Sequence, residues 1–205
     1  MRISAAVGAV LGWFALALQL YLMLHRVPVG EMLSSVISFF SFFTILTNLL
    51  VAVVLTAAGF RPRWGKWFHR PSVQAGSAVY IGIVGIVYQL LLRQLWNPQG
   101  AQWLADFLLH SVIPLGYVVY WLLFASRTGL QWKDALAWLA YPAVYLIYVL
   151  ARGAAIGVYP YPFVDVTVLG YAGGFLRAAM FLVVFLVMGL LAVAVGRSLS
   201  AWRQH

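Results

Sequence analysis

The sequence has no cysteine and very few charged residues. The absence of cysteine excludes disulfides, thiolate metal sites and cysteine nucleophiles. Only 8% of the 205 residues are charged and 64% are hydrophobic, whereas charged residues make up about a quarter of an ordinary soluble domain. Only 4 residues are acidic, against 13 lysines and arginines. This composition excludes an ordinary soluble domain and indicates an integral membrane protein.

Long apolar runs account for nearly the whole chain. A helix needs about 20 apolar residues to cross a bilayer. Six such runs follow one another, at 5–24, 32–59, 73–95, 102–125, 135–156 and 169–196. The sequence therefore predicts an all-α fold, a single domain over 1–205 built as a bundle of six transmembrane helices.

Lysine and arginine are distributed unevenly between the two sides of this predicted bundle. If the N-terminus is cytoplasmic, nine fall on the inner side: Arg2, Arg61, Arg63, Lys66, Arg70, Arg127, Lys133, Arg197 and Arg203. Three fall on the outer side: Arg26, Arg93 and Arg152. Because cationic loops stay in the cytoplasm, we predict that both termini are cytoplasmic in a multi-pass protein of the inner or plasma membrane. These cations flank apolar segments, so we expect them to contact lipid headgroups and not nucleic acid.

The second apolar run carries an unusual number of polar side chains. On a continuous helix, with 100° per residue, five of them share a stripe about 120° wide: Ser34, Ser38, Ser41, Thr44 and Asn48. Thr47 points away from this stripe. In a membrane such side chains face neighbouring helices or water. They therefore either hydrogen-bond between helices or include a nucleophile that needs a base elsewhere in the chain.

Ionisable side chains are predicted at a matching depth. His110 and Arg177 each fall about seven residues inside the outer end of a predicted helix, roughly 10 Å below the surface, and Thr44 reaches a similar depth from the second helix. A nucleophile, an imidazole and a cation in one layer would suit a buried hydrolytic site, although His110 could equally make a structural hydrogen bond. Asp106 precedes His110 by four residues and could orient its ring. An arginine within the membrane needs a partner, and we predict that Arg177 pairs with an acid, first Asp165 and second Asp106.

Several other polar residues of the outer half are candidates for binding a substrate: Ser41, Asn48, Gln89, Arg93, Tyr145, Asp165 and Arg177. A metal site needs about three converging ligands, and His25, Asp106 and His110 are too scattered to form one. We therefore expect neither a metal nor any other cofactor.

Three short motifs resemble one family of membrane enzymes. FFTILTNLL at 42–50, LLHSVIPL at 108–115 and YPYPFVDV at 159–166 are similar, in order and spacing, to the androgen-induced and androgen-dependent membrane hydrolases. They look most like the bacterial six-helix relatives. Members of that family cleave fatty acid esters of hydroxy fatty acids with an intramembrane threonine and histidine. The resemblance implies Thr44 as the nucleophile, His110 as its partner and no cofactor.

Two departures from the family pattern bear on this alignment. Thr47 stands where the animal enzymes have an acid, and Pro114 comes one residue earlier after the histidine. The nucleophile is therefore Thr44 or Thr47, and the helical-face argument favours Thr44.

The sequence thus predicts an intramembrane threonine hydrolase of lipid esters. In this prediction Thr44 attacks an acyl carbonyl and His110 takes its proton, while Arg177 or Ser41 holds a carboxylate or the developing oxyanion. The alternative is a transporter or a lipid-binding protein that uses the same polar layer without chemistry. Broken helices and inverted repeats would support transport, and the sequence predicts neither.

Overall fold

A computed structural model describes residues 1–202 as a bundle of apolar helices, with no β-strand in that range. Six segments are long and apolar enough to cross a membrane: Arg2–Leu24, Phe43–Phe60, Pro71–Leu95, Gly100–Phe124, Trp132–Ile156 and Val166–Ala201. The predicted all-α, polytopic fold with six spans is confirmed. Arg203, one of the nine cations counted above, lies outside the described residues.

Most spans are interrupted, and we therefore number each regular helix separately. The helices are α1 (Arg2–Leu24), α2 (Met32–Phe39), α3 (Phe43–Phe60), α4 (Pro71–Val87), α5 (Gly100–Phe107), α6 (Ile113–Phe124), α7 (Trp132–Ala137), α8 (Ala140–Ile156) and α9 (Val166–Trp202). A π-helical turn, Tyr88–Leu92, and a 3₁₀ turn, Arg93–Leu95, extend α4, and a second π turn, Leu108–Val112, joins α5 to α6. Gly170, with φ 69° and ψ 162°, kinks α9.

Successive spans run in opposite directions. The connections 25–31, 96–99 and 157–165 therefore meet at one end of the bundle, which we call the site end. The connections 61–70 and 125–131 meet at the opposite end.

The centre of the bundle is formed by α3 and α4. In the most apolar part of each span, 61% of the residues are buried in the span of α3 and 56% in the span of α4. The corresponding share in α1 is 22%. Small residues bring α1 close to α3, because a methyl group on Gly12 would lie 3.2 Å from Cβ of Ala52. This close approach of backbones is the usual way in which helices associate in lipid.

The second apolar run is not the continuous helix that we predicted over 32–59. It stops after Phe39, and Phe42 is extended (φ −88°, ψ 127°) before α3 begins. The break is held by side chains: the Tyr145 hydroxyl donates to the Ser41 carbonyl at 2.9 Å, and the Ser41 hydroxyl donates to the Ile37 carbonyl at 2.8 Å.

This break also overturns the single polar stripe. Ser34 and Ser38 belong to α2, whereas Thr44 and Asn48 belong to α3, so 100° per residue cannot be counted across Phe40–Phe42. The Ser34 hydroxyl lies at an exposed position, where it donates to the Glu31 carbonyl at 2.8 Å.

Candidate active site

A cavity of about 360 Å³ opens within the bundle near the site end. Its polar lining consists of Gln19, Thr44, Tyr88, Asp106, His110 and Tyr161. The rest of the lining is apolar or aromatic, including Phe39, Phe42, Leu92, Leu95 and Trp96. Thr44 and His110, the two predicted catalytic residues, therefore line one shared cavity.

Thr44 lies in the first turn of α3, directly after the break. Its backbone N–H donates to the Tyr161 hydroxyl at 3.3 Å, and its Oγ1 lies 3.5 Å from the same hydroxyl oxygen. The first N–H groups of a helix lack partners within the helix, and the helix dipole is positive there. The break thus places a hydroxyl and a partial positive charge at the wall of the cavity.

His110 lies in the π turn between α5 and α6. Its Nδ1 is 3.1 Å from Asp106 Oδ1 and 3.1 Å from the Asp106 carbonyl oxygen. Asp106 Oδ1 forms no hydrogen bond with the described residues, so the backbone carbonyl of Asp106 is the acceptor for Nδ1. With a carbonyl as its partner, Nδ1 carries the proton, and Nε2 is the ring nitrogen that can accept one. We predicted that the Asp106 side chain orients the imidazole; in the structure the Asp106 backbone holds the ring, and the carboxylate lies 3.1 Å from Nδ1.

Tyr88 completes the support of this ring. Its side chain stacks on His110 with ring centroids 4.0 Å apart and planes 13° apart, and its hydroxyl donates to Asp106 Oδ2. Tyr88 opens the other π turn, Tyr88–Leu92. Two π turns therefore face each other at this cavity, and such turns are frequent at functional sites.

Asn48 joins the two halves of the site. It is fully buried, and its Nδ2 donates to the carbonyls of Thr44 at 2.9 Å and Leu109 at 3.1 Å. In the π turn the Ile113 N–H donates to Leu108, and the residue five positions after Leu109 is Pro114, which has no N–H. The Leu109 carbonyl therefore lacks a donor from its own helix, and Asn48 supplies one.

Gly85 allows α4 to approach the π turn of His110. A methyl group on Gly85 would lie 3.0 Å from Cβ of Pro114 and 3.5 Å from the His110 carbonyl oxygen. One turn of helix separates Gly85 from Tyr88, so this close approach also brings the Tyr88 ring onto His110.

Two further spaces adjoin the site. A small void of about 60 Å³ beside Thr44 is lined almost entirely by apolar side chains, among them Ile83, Val87 and Phe181. A larger groove of about 520 Å³ lies between α4, α6 and α9, and it begins at His110 and Ser111 and is otherwise mostly apolar. Thr44 and His110 thus each stand between the cavity and an apolar space.

The predicted substrate-binding residues do not all reach the cavity. Tyr145 lines the small void beside Thr44, and Gln89 lines the groove. The Arg93 guanidinium donates to the Gln89 side chain at 3.0 Å at an exposed position. The Ser41 hydroxyl lies 2.8 Å from that of Tyr148, away from the cavity lining.

The predicted ion pair between Arg177 and Asp165 is wrong. Arg177 is exposed on α9, and within residues 1–202 the close approach of a carboxylate to a basic side chain is that of Asp106 to His110. The Asp165 carboxylate instead accepts the backbone N–H of Thr167 at 2.9 Å, where it caps the start of α9. Our prediction assumed that Arg177 is buried within the bundle, and its exposed position removes the need for a partner.

Thr47 does not line the cavity. It is fully buried, and its hydroxyl lies 3.3 Å from that of Tyr141 on α8. The structure therefore separates the two threonines: Thr44 faces the cavity, and Thr47 connects α3 to α8.

No group of three potential metal ligands is present among the described residues. Sequence reasoning missed Tyr161 and Tyr88, and it did not anticipate that Asn48 donates to two backbone carbonyls. Tyr161 could have been singled out from the sequence because it lies between Pro160 and Pro162. Prolines on both sides restrict the backbone of the residue between them and so fix the direction of its side chain.

Comparison with known proteins gives no assignment for this chain. No protein-family model, no curated protein and no solved structure matches it.

Proposed function

We propose that this protein is a threonine hydrolase of lipid esters that works within the membrane. The observation that carries the proposal is the shared cavity, which is lined both by Thr44 and by an imidazole whose Nδ1 is bonded to the Asp106 carbonyl. A threonine hydroxyl is a weak nucleophile until a base takes its proton. An imidazole that is held in one tautomer by a carbonyl at Nδ1 can accept that proton at Nε2, and a carboxylate 3.1 Å away stabilises the cation that forms.

The reaction has two stages. Thr44 Oγ1 attacks the acyl carbon and its proton passes to His110 Nε2; the ester C–O bond then breaks, and His110 returns that proton to the departing alcohol. In the second stage water gives a proton to His110 and its hydroxyl attacks the acyl carbon. The bond from that carbon to Thr44 Oγ1 then breaks, and His110 passes the proton to Oγ1, which releases a fatty acid and restores Thr44. The Asp106 side chain, 3.1 Å from Nδ1, stabilises the imidazolium in both stages.

The surroundings of the site support an apolar substrate. The 60 Å³ void at Thr44 and the 520 Å³ groove at His110 have predominantly apolar linings, and the groove lies between spans that face lipid. When the ester carbonyl of a substrate lies at Thr44, these two spaces accommodate the hydrocarbon chains on either side of the reacting carbon. The resemblance of the three motifs to the androgen-induced and androgen-dependent hydrolases narrows the proposed substrate to fatty acid esters of hydroxy fatty acids.

We also propose that the site end faces away from the cytoplasm. The described cations Arg61, Arg63, Lys66 and Arg70 all lie in one connection at the opposite end, which suits a cytoplasmic loop of an inner or plasma membrane protein.

The test is turnover by the purified protein in detergent or bilayer discs. We expect hydrolysis of a long-chain ester and covalent labelling of Thr44 by an alkyl fluorophosphonate. Thr44→Ala and His110→Ala should each lower kcat by at least about 100-fold, and the double variant should lose little more, because the two residues act as a unit.

Thr47→Ala is the matched control, since Thr47 lies one turn further along α3 and outside the cavity. It should retain most of the wild-type rate. If a broad panel of lipid esters gives neither turnover nor an adduct, the hydrolase proposal is refuted and lipid binding or transport takes its place. If Thr47 carries the adduct, the assignment of the nucleophile is refuted.

A further inference from the structure

The loop 157–165 delivers one side chain to the start of α3. Tyr161 lies between Pro160 and Pro162 in an extended conformation (φ −137°, ψ 140°), and it is only 8% exposed. Its ring stacks on Phe163 with centroids 5.0 Å apart and meets the edge of Phe42 at 5.8 Å. Both the backbone and the ring of Tyr161 are therefore fixed, and its hydroxyl has a defined position.

That hydroxyl contacts Thr44 twice. Its oxygen accepts the Thr44 N–H at 3.3 Å and lies 3.5 Å from Thr44 Oγ1. Because the oxygen accepts the N–H, the hydroxyl proton points elsewhere, toward Oγ1 or the cavity. Burial raises the pKa of Tyr161 above its usual value of 10.0, so the hydroxyl remains a donor at neutral pH.

Three other polar side chains of the site have their donors in use. The Tyr88 hydroxyl donates to Asp106, and both protons of Asn48 Nδ2 go to carbonyls. Two titratable groups on α8, Tyr141 and Tyr145, interact with Tyr161, and the Tyr145 hydroxyl donates to the Ser41 carbonyl.

We infer that Tyr161 is a catalytic residue whose O–H stabilises the oxyanion formed when Thr44 attacks an acyl carbonyl. This inference rests on the proposed hydrolase function. When the bond from Oγ1 to the acyl carbon forms, the carbonyl π electrons move to oxygen and the Thr44 proton moves to His110. The new oxyanion lies next to Oγ1, within reach of the Tyr161 O–H, and its charge is further stabilised by the N-terminus of α3.

Tyr161→Phe removes a single oxygen and keeps the packed ring. We expect kcat to fall by about 100- to 1000-fold, the usual loss for one oxyanion donor. The decisive comparison uses two inhibitors with the same acyl chain, a boronic acid that forms a tetrahedral adduct and an amide that imitates the intact ester. The boronic acid should lose affinity by about the factor lost in kcat/KM, and the amide should bind as before.

Tyr159→Phe is the matched control on the same loop, and it should turn over at nearly the wild-type rate. If Tyr161→Phe keeps a third or more of the wild-type rate, or weakens both inhibitors equally, Tyr161 is not the oxyanion donor, although the hydrolase proposal stands. If the wild type shows neither turnover nor a Thr44 adduct, the proposed function itself fails and this inference fails with it.

A second variant covers the possibility that Tyr161→Phe does not fold. Replacing Tyr161 by 3,5-difluorotyrosine keeps the hydroxyl and makes it more acidic. We expect the alkaline limit of kcat to move to lower pH, because ionisation removes the donor. An alkaline limit at the wild-type position would overturn the inference.

Discussion

Replacement of Asn48 by alanine should destabilise the protein through a backbone carbonyl that no other group satisfies. Asn48 donates to the carbonyls of Thr44 and Leu109. The Thr44 carbonyl is also part of the regular hydrogen-bond ladder of α3. The Leu109 carbonyl has no such alternative, since the π turn shifts the Ile113 N–H to Leu108 and Pro114 offers none.

The magnitude follows from this difference. A hydrogen bond between membrane helices contributes about 0.6 kcal/mol on average, whereas a buried polar group left without a partner costs about 1–3 kcal/mol. Asn48→Ala should therefore lower the free energy of unfolding by about 2 kcal/mol. Asn48→Asp keeps the shape but places carboxylate oxygens against two carbonyl oxygens, so it should be more harmful than alanine.

Unfolding by increasing dodecyl sulfate in mixed micelles, followed through the fluorescence of the 9 tryptophans, measures these differences. Thr47→Val is the control, because Thr47 is equally buried on the same helix and has one hydroxyl contact of 3.3 Å with Tyr141. It should cost about 0.6 kcal/mol. If Asn48→Ala is no worse than Thr47→Val, or if Asn48→Asp is the milder Asn48 variant, the reasoning about the Leu109 carbonyl is refuted.

Three further predictions follow from the site and its orientation. In this cysteine-free chain, a single cysteine at Trp67 should react with an impermeant thiol reagent only in opened cells, and one at Gln99 should react in intact cells; the reverse pattern would invert the topology. Asp106→Asn should lower kcat by roughly 10- to 100-fold with little change in KM, as expected when the imidazolium loses the carboxylate that stabilises it, and an unchanged kcat would contradict that role. Gly85→Ala should destabilise the fold by about 1–3 kcal/mol through overpacking against the proline of α6, whereas Gly82→Ala, whose methyl group would lie 3.6 Å from its nearest neighbour, should be harmless in the same unfolding assay.

The spans were predictable because hydropathy alone requires them. Runs of about 20 apolar residues have one stable solution in lipid, which is a helix. The pairing of Asp106 with His110 was also accessible, since residues four apart share a helical face. Both predictions depend on local periodicity, which the sequence displays directly.

The break before α3 was not predictable in this way. No proline or glycine lies between Phe39 and Phe43, and the extended backbone is stabilised by Tyr145, a residue about a hundred positions away. The role of Asn48 was equally unpredictable from the sequence, because Asn48 donates to the Leu109 carbonyl in a different span. Contacts of this kind come from tertiary structure and leave no periodic signal in the sequence.

The broken helix bears on the choice between catalysis and transport. Backbone groups without partners are costly in lipid, so irregular backbone at membrane depth occurs where it lines a cavity or is buried in protein. Transporters use such breaks at a site from which a path continues to the other side of the membrane.

In this chain, the layer next to the site toward the opposite end contains fully buried side chains, among them Asn48, Val51, Ile81 and Leu109. The residues lining the cavity come only from the site end. The space that continues from His110 is the groove between α4, α6 and α9, and its lining is almost entirely apolar. A polar solute would gain no hydrogen-bond partners along such a lining, whereas a hydrocarbon chain would be accommodated there. We therefore expect the break to hold a hydroxyl and a helix N-terminus at the cavity of the proposed hydrolase, and not to open a path for polar solutes.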